Sequence, residues 1–168
     1  LEFRRVLFRS REINASVLGD MEDAKCSVLE EVVKQDTILS FQDKYEGHAK
    51  SKGMAGTNRR VPASLEKEEA QEITSYALAS FQALQAEGVV RIDFLMNADT
   101  KDIYVNEINS IPGSLAYYLW EASGLTFTKL LEELIQLGMK RWRREEKRIV
   151  SFDTNVLQLQ AKGGSKQL

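Results

Sequence analysis

Residues 91–114 read RIDFLMNADTKDIYVNEINSIPGS, and the fold turns on how this stretch is parsed. Two runs rich in β-branched and aromatic residues, VVRIDFLM at 89–96 and IYVNEI at 103–108, flank NADTKD, whose Asn, Asp and Thr favour a turn. The pattern predicts a β-hairpin. Side chains alternate faces along a strand, so Arg91, Asp93 and Leu95 share one face of the first strand, and Val105, Glu107 and Asn109 share one face of the second. A loop over Ala98–Asp102 sets Asp93 opposite Glu107 and Arg91 opposite Asn109, with facing Cβ atoms about 4.5–5.5 Å apart. The other face, with Ile92, Phe94 and Ile108, is apolar and is expected to pack on a core.

Two carboxylates facing each other on a sheet repel, so the arrangement wants a compensating cation. Oxygen donors suit Mg²⁺, which takes one or two protein carboxylates and completes its shell with substrate phosphates and water. Asp93, Glu107 and the Asn109 amide oxygen would offer such a set to a nucleotide, and Arg91 beside them suits a developing oxyanion. Spacing alone leaves open a plain surface hairpin in which Arg91 pairs with Asp93 or Glu107.

Outward from the hairpin, REINASVLGD at 11–20 suits a short strand and turn, and VLEEVV at 28–33 and TILSF at 37–41 are further strand candidates. From Asp43 to Val61, three Gly, three Lys and two Arg with little apolar content predict a long loop of the kind that forms lids. His48 lies in it and reads as an exposed loop residue. Ser64 is the expected N-cap of a helix with an acidic first turn, in which Ile73, Ala77, Phe81 and Leu84 recur at helical spacing until Gly88. After Pro112 and Gly113 a helix over Ser114–Ala122 is expected to stop near Gly124. Another from about Thr126 should bury Phe127, Leu130, Leu131, Leu134 and Ile135, then end in the solvated run RWRREEKR and a frayed tail.

With 168 residues, 43% hydrophobic and 29% charged, the composition is that of one globular domain. A net charge of -2 excludes a broad basic field for nucleic acid or an anionic membrane, so small-molecule partners are expected. No apolar run approaches the roughly 18 residues of a membrane span, and the single cysteine, Cys26, cannot form an internal disulfide, which makes the cytoplasm the default location. The first ten residues, LEFRRVLFRS, join abruptly onto a segment of different character and are expected to be a cloning or sequencing scar. The domain reading is therefore 1–10 scar, 11–140 folded lobe, and 141–168 charged helix end and flexible tail.

RIDF at 91–94 and YVNEINSIPGS at 104–114 closely resemble the signature of the D-alanine–D-alanine ligases, members of the ATP-grasp superfamily. The likeness extends to REINASVLGD, the Asp43-Lys44-Tyr45 segment, VPA at 61–63 and the helix-Gly-strand run before Arg91, and covers about residues 11–140. It implies an α+β fold, the carboxy-terminal lobe of an ATP-grasp domain, mainly antiparallel sheet with packed helices and a long lid loop. It also implies ATP and two Mg²⁺ ions (or Mn²⁺), with Asp93 on one ion, Glu107 bridging both and Asn109 on the second. Arg91 would stabilise the acyl phosphate and the tetrahedral intermediate, and Gly113 would give a backbone N–H to the same oxyanion, glycine permitting close approach.

By the same resemblance Glu12 accepts hydrogen bonds from the ATP ribose, and Lys44, with Tyr45 beside it, meets phosphate and the second substrate's carboxylate. A family serine that helps hold that carboxylate falls on Tyr118 here, with Ser114 nearby, so the acceptor stays open among D-alanine, D-lactate and D-serine. The implied parent reaction activates one D-alanine as an acyl phosphate and joins a second to it, giving D-alanyl-D-alanine for peptidoglycan. In that family an amino-terminal domain and a central lobe precede the segment matched here, so this chain is expected to hold a partial active site and to be inactive alone. A homodimeric parent is compatible with the resemblance, and a noncatalytic nucleotide-binding fragment is the alternative from another functional class.

Overall fold

The computed structural model of the chain describes residues 10–33 and 58–147. The chain divides into two compact units, residues 1–138 and 139–168; the described part of the second, 139–147, is the exposed end of a helix and a turn. In chain order the described elements are β1 (Ser10–Gly19), β2 (Ala24–Cys26), β3 (Glu30–Val33), β4 (Asn58–Arg60), α1 (Lys67–Ala83), β5 (Gly88–Asn97), β6 (Ile103–Asn109), a 3₁₀ turn (Gly113–Ala116), α2 (Tyr117–Ala122) and α3 (Phe127–Glu146). The strands form one sheet in the order β4-β3-β1-β5-β6, every pairing antiparallel, with β2 also paired to β1.

β1 is the spine of this sheet, paired along its whole length with β5 from Ser10↔Asn97 to Gly19↔Gly88. It takes in Ser10, the last residue of the segment set apart above. Its end is enforced locally: at Gly19 (φ +147) a Cβ would stand 2.0 Å from the Asp23 carbonyl oxygen, so only glycine fits. Asp20 Oδ1 then accepts the N–H groups of Glu22 and Asp23 at 2.9 and 3.1 Å, closing the turn into β2. β2 has three residues, too few for a periodicity to announce it.

Two expectations for the following segment change. The strand expected over 28–33 starts at Glu30, and β4 occupies Asn58–Arg60, inside the stretch read as loop. The cations that suggested a loop are what hold β4, because Arg59 and Arg60 approach Glu30 and Glu31 of β3, each at 3.4 Å. TILSF and the rest of the expected lid, including Lys44, Tyr45 and His48, lie outside the described residues.

The N-cap of α1 is Glu66 rather than Ser64, and Glu69 Oε2 accepts the Glu66 N–H at 3.1 Å. The helix ends at Ala83, short of Gly88, and leaves Leu84 exposed. Ile73, Ala77 and Phe81 are fully buried against Ile13, Ala15, Val17, Val90, Ile92 and Phe94 on one face of the sheet. The other face carries a smaller apolar cluster of Leu18, Val89, Trp120 and Leu130, with Leu115, Leu125, Leu134 and Leu137 packed on it. α3 therefore buries a narrow 130–134–137 stripe, and Phe127, Leu131 and Ile135, expected in the core, are exposed. Among the described residues no helix is long and apolar enough to cross a membrane.

Candidate active site on the polar face of the sheet

Alternation along β1 and β5 sends Ile13, Ala15, Val17, Ile92 and Phe94 toward α1, and therefore Asn14, Ser16, Arg91 and Asp93 to the opposite face. The hairpin pairs Asp93 with Glu107 and Arg91 with Asn109, as the spacing implies, but by a different route. A regular hairpin over a 98–102 loop would place Asn97 across from Ile103; instead Met96 faces Ile103, and the register shifts again between Asp93 and Phe94, leaving Asn106 as the extra residue. This bulge restores the Asp93–Glu107 pair. It also puts Val105 across from Phe94 and Tyr104 across from Leu95, so Val105 does not share the face of Glu107. Ile108 faces Ile92 but is 36% exposed, because β6 is the sheet edge.

One row of the polar face runs Glu30–Asn14–Asp93–Glu107 across four strands, and the next holds Ser16, Arg91 and Asn109. Glu12 lies two residues along β1 from Asn14, opposite Leu95. Arg91 grips Asp93 with both arms, Nε to Oδ1 at 2.7 Å and Nη2 to Oδ2 at 2.9 Å, and Asn109 Nδ2 donates to Oδ2 at 3.2 Å. The hydrogen bond to Asp93 holds the Arg91 guanidinium above its ordinary pKa, against the effect of burial. The ion pair left open by spacing is thus present, with Asp93 only 5% exposed.

An ionised carboxylate offers about four lone-pair directions, and Asp93 spends three of them here, so one stays open to a cation. Glu107 is exposed at the edge, on the same side of the hairpin as the buried Asp93. Among the described residues no group of three or more His, Cys, Asp or Glu side chains is placed to hold a metal. Two carboxylates and an amide oxygen fit a Mg²⁺ ion that takes its remaining ligands from phosphate and water.

Beyond β6 the chain departs from the expected helix over 114–122. Ser114, Leu115 and Ala116 adopt left-handed φ values of 51, 56 and 50°, and α2 begins only at Tyr117. That conformation costs about 1–2 kcal/mol per non-glycine residue and is kept where the surroundings over-determine it. α2 is pinned at its middle and its C-cap: Trp120 Nε1 donates to Ser16 Oγ at 3.0 Å, Ser16 Oγ donates to the Val90 carbonyl at 3.1 Å, and Ser123 Oγ accepts the Val28 N–H at 2.8 Å. Among the described residues a Cβ at Gly113 would meet no atom within 4 Å, so none of them demands glycine there. Ser114 is exposed on the same turn.

Tyr118 joins the site through residues that the sequence did not single out. Arg59 Nη1 donates to Tyr118 Oη at 2.9 Å, and the Arg59 guanidinium carbon lies 5.3 Å from the ring centroid. The same Nη1 is 3.4 Å from Glu30 Oε1, which also accepts Asn14 Nδ2 at 3.4 Å. Glu30 is fully buried, yet Glu30 Oε2, Asn14 Oδ1 and Arg59 Nε are buried without a hydrogen-bond partner among the described residues. Burial, followed by the nearby Glu30 carboxylate, pushes the Tyr118 phenol well above its ordinary pKa, while Arg59 and Arg91 oppose. Arg59 thus ties Tyr118 to Glu30 at the end of the polar row. The signal available in the sequence was an acidic pair, Glu30-Glu31, within a strand. Lys44 and Tyr45 cannot be placed, being outside the described residues.

A family model described as D-ala D-ala ligase C-terminus matches residues 5–136. The D-alanine–D-alanine ligase of Thermosipho africanus is 39% identical over 150 residues, covering 89% of this chain and 39% of the relative. That of Clostridium acetobutylicum is 36% identical over 136 residues, covering 79% of this chain and 37% of the relative. The solved D-alanine–D-alanine ligase of Coxiella burnetii superposes with a TM-score of 0.65 at 27% identity, over 83% of this chain and 34% of that one. VanG D-Ala:D-Ser ligase of Enterococcus faecalis gives 0.59 at 22% identity, over 76% of this chain and 36% of that one, a likeness of fold. The fold is the carboxy-terminal ATP-grasp lobe, and the chain spans about two fifths of the Thermosipho relative.

Proposed function

Because the chain belongs to the D-Ala–D-Ala ligase carboxy-terminal family, we propose that it supplies one wall of the active site of an ATP-dependent, cytoplasmic ligase that joins two D-alanines for the cell wall. The observation that carries this reading is the polar face itself, where Asp93 and Glu107 oppose each other beside the buried Arg91–Asp93 pair. Asp93, Glu107 and Asn109 would hold two Mg²⁺ ions, which when bound neutralise the phosphates of ATP. Glu12, farther along the same face, would accept hydrogen bonds from the ribose.

Arg91, oriented by Asp93, would face the oxyanion of the acyl phosphate and of the tetrahedral intermediate, and the Gly113 N–H would meet it from the left-handed turn. Lys44 would meet phosphate and, with Tyr45, Ser114 and Tyr118, the acceptor. The chain's part is positioning and charge stabilisation.

A second reading, a different small acceptor such as D-lactate or D-serine, is favoured by one observation: Tyr118 with its Arg59 partner stands where the family has a serine. Phosphate release by the full-length enzyme with ATP and each of D-alanine, D-lactate and D-serine tests both. Release dependent on D-alanine alone supports the first, release with a mixed pair supports the second, and none with any of them contradicts the ligase. The isolated 168-residue chain should make no dipeptide and bind Mg-ATP poorly, because a cleft ligand gains most of its affinity from burial between two walls.

A further inference from the structure

Two guanidinium groups stand on the polar face, and their states differ. Arg91 closes its side-on fork, Nε and Nη2, on Asp93 at 2.7 and 2.9 Å, which leaves it the end-on edge alone. Arg59 makes its contacts with Glu30 and Tyr118 through Nη1, lies over the Tyr118 ring, and has a buried Nε with no partner among the described residues. Its side chain is 24% exposed, so the group is held by Glu30 and Tyr118 and still reaches solvent in part. Glu30, fully buried, neutralises it without closing its fork, since the contact is a single one at 3.4 Å. A planar guanidinium held this way, with donors to spare, is suited to a carboxylate taken in bidentate fashion.

We propose that Arg59 is the specificity-determining cation that receives the carboxylate of the acceptor substrate, with Glu30 and Tyr118 as the positioning residues that fix its plane. This rests on the ligase reading above and adds to it what the pocket recognises. The acceptor must carry a carboxylate, whereas its nucleophile, amine or hydroxyl, is not what Arg59 selects.

The test is a competition in the full-length enzyme between D-alanine and D-alaninamide as acceptors, the amide keeping the amine and losing the carboxylate charge. The readout is the ratio of D-alanyl-D-alanine to D-alanyl-D-alaninamide formed in one tube, which a loss of folded enzyme cannot move. Arg59→Lys keeps a charge opposite Glu30 but loses the planar fork, and should lower the ratio about tenfold, the worth of one charge-assisted contact. Tyr118→Phe, which removes one hydroxyl from a half-buried ring, should lower it in the same direction and carries the test if Arg59→Lys does not fold. An unchanged ratio in the folded variants, both products falling together, overturns the assignment. If the unsubstituted enzyme makes neither product, the ligase reading falls, and the role of Arg59 with it.

Discussion

Glu30 and Glu31 are neighbours in β3 and point to opposite faces of the sheet, and the contrast between them is the contrast between the two faces. Glu31 faces the α1 side, where Arg11 Nε donates to its Oε1 at 2.7 Å and Arg60 stands 3.4 Å from its Oε2. Glu30 faces the polar side, where Asn14 and Arg59 each approach only to 3.4 Å and one of its oxygens has no partner among the described residues. One face closes its polar groups at the margin and fills its middle with Ile13, Ala15, Phe94, Ile73 and Phe81. The other buries Asn14, Ser16, Glu30 and Asp93 and leaves part of their bonding capacity open. A buried donor or acceptor without a partner costs about 1–3 kcal/mol, so the second face carries a cost in stability that the first does not. Along β1 the odd positions Ile13, Ala15 and Val17 thus serve the core under α1, while Asn14 and Ser16 line the polar stretch of the other face, which Leu18 ends with a second apolar cluster.

The largest effect that sharpens this contrast belongs to the apolar face. Phe81→Ala removes a fully buried ring from the core and should cost about 3–5 kcal/mol in urea unfolding, with little change in turnover per folded molecule of the full-length enzyme. A comparable loss of turnover per folded molecule would mean that the two faces are not separable.

A smaller effect compares the two glutamates directly. Glu31→Gln should cost about 1.5–3 kcal/mol at neutral pH, the worth of hydrogen bonds to a charged group, and Glu30→Gln distinctly less, because its contacts are long and its charge is costly to bury. The hydrogen bond from Arg11 holds the Glu31 carboxyl below its ordinary pKa in the folded chain. Its contribution is therefore present above the unfolded carboxylate pKa of about 4.3 and lost as pH falls through the lower folded value. Urea melts should separate Glu31→Gln from the unsubstituted chain at pH 7 and draw together as the pH falls through the lowered value of the folded Glu31 carboxyl. An equal cost for both glutamates, or no convergence in acid, would break the comparison.

How much of this was legible follows the length of each pattern. α1 could be read from Ile73, Ala77 and Phe81, and the alternation of RIDF and YVNEIN located the facing carboxylates. The Asn106 bulge could not be read, because an inserted residue leaves no mark in a six-residue run; the pairing came out right because the bulge offsets the shifted closing pair. The left-handed turn at 114–116 was hidden by residues that suit a helix equally well, and it is fixed by tertiary anchors, Trp120 on Ser16 and Ser123 on Val28. Arg59 was read as loop because its partner Glu30 lies 29 positions earlier, beyond the reach of any local pattern. Roles carried by resemblance, such as those of Glu12 and Lys44, came from the motif and not from the physics of the segment.

The central claim, that this polar face holds the metal-nucleotide chemistry, is tested most directly by phosphate release from the full-length enzyme carrying Glu107→Gln at saturating Mg²⁺. Glu107 is exposed on an edge strand, so the substitution should leave the melting temperature unchanged. If Glu107 helps hold the metal ions as proposed, loss of its charge should lower turnover about 10²- to 10³-fold. Turnover close to that of the unsubstituted enzyme, with the fold intact, would contradict the account.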